Sequence, residues 1–343
     1  MAAQDVEYVE LYAGDERSVV EYFVSSFGFT RIAESSGRGR HSTLLRQGSA
    51  QLIVTAGRGT EEFLEAHGDG VADIAFGCDD AGQTRDTALA AGATPISTQP
   101  GEHPVSGFFG TRHTLVTRSA RIRVPADRAW SRVPGSPERP QGHIRLLDHV
   151  AACVDSGTLA DCADFYASGF GIPRYSGEYV EVGEQGLDSV VVRSPSGGIT
   201  FTILEQDPVK KPGQIQGFLS RNEGPGVQHL AFLVDDIVSA VHDYGDCGID
   251  FLRTPGLYYD MLARRLPDIR EEIADLHSAN VLGDRDEWGY LLQIFTRSPY
   301  QRNTMFYELV QRRGARGFGG ENIKALYEAV ERDGLADLPG PKR

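Results

Sequence analysis

The chain is written twice, and each half is written twice again. Val71-Ala72-Asp73-Ile74-Ala75-Phe76, followed by Asp79-Asp80, is matched by Val227-Gln228-His229-Leu230-Ala231-Phe232, followed by Asp235-Asp236. Both are trailed by segments, 81–95 and 237–252, in which Ala, Leu or Val recur at three- and four-residue steps, the period of a helix with one apolar face. Earlier in each half, Val6-Glu7-Tyr8-Val9-Glu10-Leu11 answers Leu147-Asp148-His149-Val150-Ala151. Each is followed by a helical pattern carrying Tyr22-Phe23 or Phe165-Tyr166, then by Phe27-Gly28 or Phe170-Gly171. Strand, helix and further strands, four times over, predict a βαβββ module used in pairs, and such repeats constrain architecture before any local assignment does. The expected class is α+β, with four modules paired into two open barrel-like domains plus a C-terminal helix.

The Pro-, Gly- and Arg-rich stretch from Pro125 to Gly142 reads as a linker. The expected organisation is an N-terminal domain over 1–130, a linker over 131–145, a catalytic domain over 146–316, and a lid helix and tail over 317–343. At 343 residues each domain can bury a core of ordinary size. The formal charge of −14 argues against nucleic acid and against an anionic membrane as partner. No run of about 18 apolar residues is present. The N-terminal residues lack the basic-then-apolar layout of a secretion signal. Cys78, Cys153, Cys162 and Cys247 are scattered, so all four read as reduced, small buried packing residues of a cytoplasmic protein.

Against this repeat three residues stand out. His149, His229 and Glu308 are separated by 80 and 79 residues, and each sits in a short strand-like run. Alternation along a strand turns each toward apolar neighbours such as Val227 and Ala231, or Phe306 and Val310. Buried imidazoles and a carboxylate need partners, and a shared metal ion is one. Two His and one carboxylate with positions left open is the non-haem Fe(II) oxygenase arrangement. Position 149 answers Tyr8 and position 229 answers Asp73, so the scaffold itself does not demand histidine. The N-terminal half is therefore expected to bind no metal. His41, His67, His103, His113, His143, His242 and His277 have no repeat partner and read as surface or loop residues. The glycine-rich pieces do not open a helix after a strand, which rules out a dinucleotide fingerprint.

The runs Gly226-Val227-Gln228-His229-Leu230-Ala231 and Leu291-Leu292-Gln293-Ile294-Phe295-Thr296 resemble the 4-hydroxyphenylpyruvate dioxygenase family. So do Phe306-Tyr307-Glu308, the tail Gly317-Phe318-Gly319-Gly320-Glu321-Asn322-Ile323-Lys324-Ala325-Leu326, and His67-Gly68-Asp69-Gly70-Val71. The resemblance covers nearly the whole chain. It implies the vicinal oxygen chelate fold, Fe(II), O2, and 4-hydroxyphenylpyruvate as substrate, with a homo-oligomer compatible. Family members differ in product. Some attack the aromatic ring to form homogentisate, and others hydroxylate the benzylic carbon to form 4-hydroxymandelate. Ring-attacking members usually carry a Pro-Leu-Asn-Glu-like strand where this chain has Thr202-Ile203-Leu204-Glu205, and Phe where it has Ile323. These departures imply the benzylic product, destined for 4-hydroxyphenylglycine in peptide antibiotic assembly.

The resemblance also implies substrate contacts from Ser189, Gln214, Gln228, Gln293, Asn322 and Tyr327, besides Thr202, Leu204 and Ile323. Phe295, Phe306 and Phe318 would supply aromatic walls. Each glutamine could instead be a buried amide paired with backbone, Gln228 above all because alternation turns it away from His229. Gln293 shares a face with Leu291 and Phe295. Two other classes use related folds: ring-cleaving dioxygenases or glyoxalases, and metal-free drug-binding proteins. The three ligand-type residues speak against the latter.

Overall fold

The computed structural model describes residues 2–37, 39–96, 103–118, 124–138, 140–322 and 324. Its first module comprises β1 (Ala3–Tyr12), α1 (Glu16–Glu21, continuing as a π-helical turn over Tyr22–Ser26), β2 (Thr30–Gly37), β3 (Arg40–Gln47) and β4 (Ala50–Gly57). After α2 (Glu61–His67) come β5 (Gly70–Cys78), α3 (Ala81–Ala90), β6 (Pro104–Ser106), β7 (Arg112–Thr117) and β8 (Ser131–Arg132). The second half restarts with β9 (Ile144–Val154), α4 (Leu159–Phe170), β10 (Arg174–Val182), β11 (Gln185–Arg193) and β12 (Thr200–Gln206). It continues with α5 (Gln214–Asn222), β13 (Gly226–Val234), α6 (Ile237–Asp246), α7 (Gly256–Arg265), α8 (Ile273–Ser278), β14 (Leu282–Arg285), β15 (Tyr290–Phe295) and β16 (Phe306–Arg313).

Two eight-stranded sheets result, in the orders β6-β7-β5-β1-β4-β3-β2-β8 and β10-β11-β12-β9-β13-β16-β15-β14. In each, the first strand pairs parallel with the fourth and antiparallel with the fifth. The paired-module α+β architecture expected from the repeats is the one found. Register carries the equivalence to single residues. Tyr8 faces Ala75 and Glu10 faces Asp73 in the first sheet, as His149 faces Ala231 and Ala151 faces His229 in the second.

The repeated sequence marks are physical stops and starts. Asp80 and Asp236 cap α3 and α6, each accepting from the backbone N–H three residues on, at Gln83 and Ser239. Gly28 and Gly171 end the first helix of each half at φ of 70° and 67°, a left-handed turn that a Cβ would strain.

One face of each sheet enters a core common to both halves. Val9, Leu11, Ile74 and Phe76 share it with Val150, Leu230, Phe232 and Val234. The packing is reciprocal. Phe23, from the π-helical turn, meets Tyr307 of β16 edge-on at 5.2 Å, while Phe170 of α4 meets Phe76 of β5 at 5.4 Å. The Gln47 amide knots the halves, donating to Phe27 O (2.6 Å) and accepting from Ile144 N (2.7 Å) and Tyr244 Oη (3.1 Å). Because that face is apolar, alternate residues are forced onto the opposite, concave face, where the functional side chains lie.

Three expectations need correction. The stretch from Pro125 to Gly142 is not a free linker: β8 pairs with β2, and Trp130 packs against the apolar cluster that contains Tyr8, Ile32 and Ile53 while donating to Pro125 O. His113 is a core residue, with Nδ1 3.0 Å from Ile74 O, Nε2 2.9 Å from Tyr166 Oη, and its ring stacked on Phe76. Burial lowers its pKa to about 4, so it stays neutral. Cys247 is exposed, whereas the other three cysteines are buried and all four are free.

Where the second sheet carries its His/His/Glu group, the first carries an ion cluster. Glu10, fully buried, accepts from Arg112 (2.7 Å), Arg128 (2.8 Å) and Arg40 (3.2 Å), and Asp73 pairs with Arg112 (3.1 Å) and Thr114. Burial would raise the Glu10 pKa, but Arg112 and Arg128 outweigh it and hold it at about 2. Glu10→Gln should therefore destabilise the protein by about 2–4 kcal/mol, since it leaves three half-buried guanidiniums without their shared buried carboxylate. The measurement is urea unfolding at neutral pH. With a depressed folded-state pKa, the Glu10 contribution is full above about pH 4.5 and is lost as pH falls toward 2. A wild-type urea midpoint in the variant would contradict the assignment.

Candidate metal centre

Three neighbouring strands of the second sheet deliver the ligand set. Ala231 of β13 is flanked in register by His149 of β9 and Glu308 of β16, and His229 lies two residues back on β13 itself. The side chains converge so that one donor atom from each lies within 4.8 Å of the others. Nε2 of His149 and Nε2 of His229 each lie 3.2 Å from the same Glu308 oxygen, and all three residues are buried. Ligands about 2.1 Å from a common ion at right angles lie about 3 Å apart, so this spacing fits a facial triad around one divalent metal.

Both ring orientations are held from behind. His149 Nδ1 donates to Asp148 Oδ1 (2.8 Å), and His229 Nδ1 to Gln228 Oε1 (3.2 Å), leaving each Nε2 for the centre. Asp148 is in turn bound by Arg312 through both carboxylate oxygens, at 2.8 Å each. Despite burial, these hydrogen bonds hold the Asp148 carboxyl well below the usual range. Burial would lower His149, but the Glu308 charge and the Asp148 hydrogen bond raise it to about 9. His229 moves the other way, burial outweighing its hydrogen bond to Glu308. Burial raises Glu308, but the two histidines overcome it and hold it below the ordinary carboxylate value.

The walls are aromatic. Phe306 stacks on His229 (4.9 Å, 27°), Phe295 meets the same ring at 5.9 Å, and Phe318 meets His149 edge-on at 5.2 Å. Gln293 and Asn322 are buried together, the Asn322 amide donating to Gln293 Oε1 at 3.2 Å. Thr202 is level with Ala151, and its hydroxyl is buried without a hydrogen-bond partner among the described residues. Leu204 packs with Cys153, Ile215 and Phe218. Ser189, opposite Leu204, donates to Glu178 O.

Two positions differ from expectation. Gln228 does not turn away from His229: a bulge between Val227 and His229 interrupts alternation and brings its carbonyl to the ring. Gln214 is exposed at the start of α5 rather than a buried amide. Ile323 and Tyr327 lie outside the described residues. Sequence reasoning missed Asp148 and Arg312, although Arg312 lies four residues beyond Glu308 and so shares its strand face. It also missed Tyr258 and Arg265 on α7, which donate to Asn322 Oδ1 at 2.8 and 3.1 Å.

Comparison with known proteins agrees with this geometry. Residues 1–107 match the model of the hydroxyphenylpyruvate dioxygenase N-terminal domain, and 146–294 that of the glyoxalase/bleomycin resistance protein/dioxygenase superfamily. A triple mutant of 4-hydroxymandelate synthase from Streptomyces coelicolor superposes with a TM-score of 0.88 at 50% identity, covering 97% of this chain and 99% of that one. The 4-hydroxyphenylpyruvate dioxygenases of Yarrowia lipolytica and Danio rerio are each 29% identical over 95% of this chain, and 91% and 89% of theirs.

Without metal, His149 holds its proton up to about pH 9 whereas His229 is neutral at pH 7. Metal binding should therefore release about one proton near neutrality, and affinity should rise about tenfold per pH unit below 9. Anaerobic calorimetry in buffers of different ionisation enthalpy measures that proton, and a buffer-independent heat would contradict it. His149→Ala, His229→Ala and Glu308→Ala should each stay folded by circular dichroism yet lose tight Fe(II) binding in equilibrium dialysis.

Proposed function

The chain belongs to the hydroxyphenylpyruvate dioxygenase family, and we propose that it converts 4-hydroxyphenylpyruvate and O2 into 4-hydroxymandelate and CO2. The observation that carries the metal part of this reading is the convergence of His149, His229 and Glu308 within 4.8 Å on a buried face. Fe(II) held there would bind the substrate's α-keto acid beside dioxygen and supply the oxidising power for decarboxylation and C–H hydroxylation. Because the substrate carries its own keto acid, no second keto acid is needed.

The protein's part is to orient the substrate and exclude water. Phe306, Phe295 and Phe318 form an apolar cage around the ligand face, which keeps solvent from the reacting carbon. The unpaired Thr202 hydroxyl is a free polar contact for the substrate. Leu204 presents hydrocarbon where ring-attacking relatives usually carry an amide, so the phenol ring has no hydrogen bond there to fix it. A ring free to turn away leaves the benzylic C–H nearest the metal, and position alone then selects the product. The 50% identity to a 4-hydroxymandelate synthase supports this choice. Ring oxidation to homogentisate is the second reading, favoured by the names of the 29%-identical relatives. A cytoplasmic place, supported by four free cysteines, and a role in supplying 4-hydroxyphenylglycine for peptide antibiotics belong to the same proposal.

Product chromatography after anaerobic iron loading and addition of 4-hydroxyphenylpyruvate and O2 should give mainly 4-hydroxymandelate. Mainly homogentisate would overturn the choice of product. Oxygen uptake should require no 2-oxoglutarate, and stoichiometric succinate would exclude the mechanism. Leu204→Asn, alone or with Ile323→Phe, should divert flux toward ring-oxidised products while iron binding persists. A barrier shift of about 1.4 kcal/mol alters the product ratio tenfold, well within chromatographic reach.

A further inference from the structure

Arg312 sits at a junction that the reaction scheme does not use. It is half-buried on β16, and its guanidinium makes four hydrogen bonds. Two go to Asp148, from Nε to Oδ2 and from Nη2 to Oδ1, both at 2.8 Å. The other two run from Nη1 to the carbonyls of Gly317 (2.7 Å) and Ala315 (3.4 Å), in the turn that starts the C-terminal segment. The same guanidinium lies 5.0 Å from the centre of the Phe318 ring. Phe318 meets the His149 ring edge-on, and His149 donates to Asp148, so the contacts close a circuit: His149, Asp148, Arg312, Phe318 and back to His149.

We propose that Arg312 is a positioning residue that ties the orientation of His149 to the placement of Phe318, so that the metal centre and the substrate wall are set by one side chain. This rests on the reading of the triad as an iron site. Asp148 accepting from Nδ1 fixes the tautomer that leaves the Nε2 lone pair for the metal, and the Arg312 fork keeps that carboxylate from rotating. A lysine cannot reproduce the fork, because one ammonium is a point charge that does not span two oxygens and two carbonyls. The cation over Phe318 and the hydrogen bonds to the turn hold the wall against the ring of the ligand itself. Loss of Arg312 would thus be felt twice, as weaker iron binding and as a substrate cavity whose wall no longer holds substrate in place.

The test uses the full chain as wild type, Asp148→Asn, Arg312→Lys, Arg312→Met and the Asp148→Asn/Arg312→Met double variant. Three quantities are read: the Fe(II) Kd by anaerobic dialysis, the visible spectrum of the Co(II)-substituted protein, and oxygen consumed per product formed. Asp148→Asn and Arg312→Met should each raise Kd ten- to hundredfold and shift the Co(II) bands. The double variant should be no worse than the weaker single one, because the two act as a unit. Arg312→Lys should not restore wild-type affinity. With ascorbate present as the two-electron reductant, Arg312→Met should also consume excess oxygen, releasing 4-hydroxyphenylacetate, CO2 and water without hydroxylation, while Asp148→Asn, which leaves the Arg312 side chain over Phe318, should stay coupled. A Kd within twofold of wild type in Asp148→Asn, which keeps the side chain's shape, would overturn the proposal even if Arg312→Met did not fold. So would multiplicative effects in the double variant or wild-type oxygen coupling in Arg312→Met. A wild-type protein that binds no Fe(II) would instead overturn the iron reading beneath it.

Discussion

Burying one face of each sheet in a shared aromatic core is the constraint from which the rest follows. Once Phe232, Leu230, Tyr307 and Leu309 face that core, His229, Ala231, Phe306 and Glu308 have only the concave side left. A one-residue slip of β13 or β16 would bury the histidine or the glutamate in hydrocarbon, so the cost of a misplaced charge and the gain from apolar burial enforce the same register. Function here is a by-product of registry. The ligands are not gathered by loops but stand on adjacent strands, which is the stiffest support a sheet can offer.

The two halves show alternative answers to the same electrostatic problem. Each brings acidic or polar side chains to corresponding points on a concave face, and each must compensate them. In the first half the compensation is built in: Arg112 and Arg128 neutralise Glu10, and Arg112 also reaches Asp73. In the second half Phe306 stands where Arg112 stands, so no arginine reaches Glu308 from that position. Its two histidines carry one favoured proton between them, at His149. That is a group with unspent coordinating capacity, whereas the first cluster is saturated.

Much of this was legible in the chain because the repeats are local patterns. The paired modules, the equivalence of Tyr8 with His149 and of Asp73 with His229, and the strand positions of the ligands all follow from two-residue alternation and capped helix starts. What was not legible depends on departures from regularity or on long-range contact. The bulge beside Gln228 has no signature in Val227-Gln228-His229, since alternation through that run looks unbroken. The segment around Trp130 reads as linker by composition, yet β2 needs a partner at its edge and the indole packs against the cluster that holds Ile32 and Ile53. His113 looked like a surface residue because nothing nearby announces the carbonyl of Ile74 or the hydroxyl of Tyr166, the latter 53 residues away. Arg312 could have been found by carrying alternation two positions past Val310.

The knot at Gln47 bears on how such a protein can be taken apart. Its single amide holds a carbonyl after the first helix, the first strand of the second half and a tyrosine of α6, in the midst of the rings of Phe27, Phe232 and Tyr244. The half that bears the ligands therefore owns only part of the hydrophobic surface it needs. Cut free, it would present Phe232, Tyr244 and Tyr307 to water as a sticky patch, and the companion half would do the same with Phe23, Phe27 and Phe76. A minimal enzyme cannot be carved from this chain by keeping the ligands and discarding the rest. The half that lacks the His/His/Glu group persists as a permanently bound chaperone for its twin.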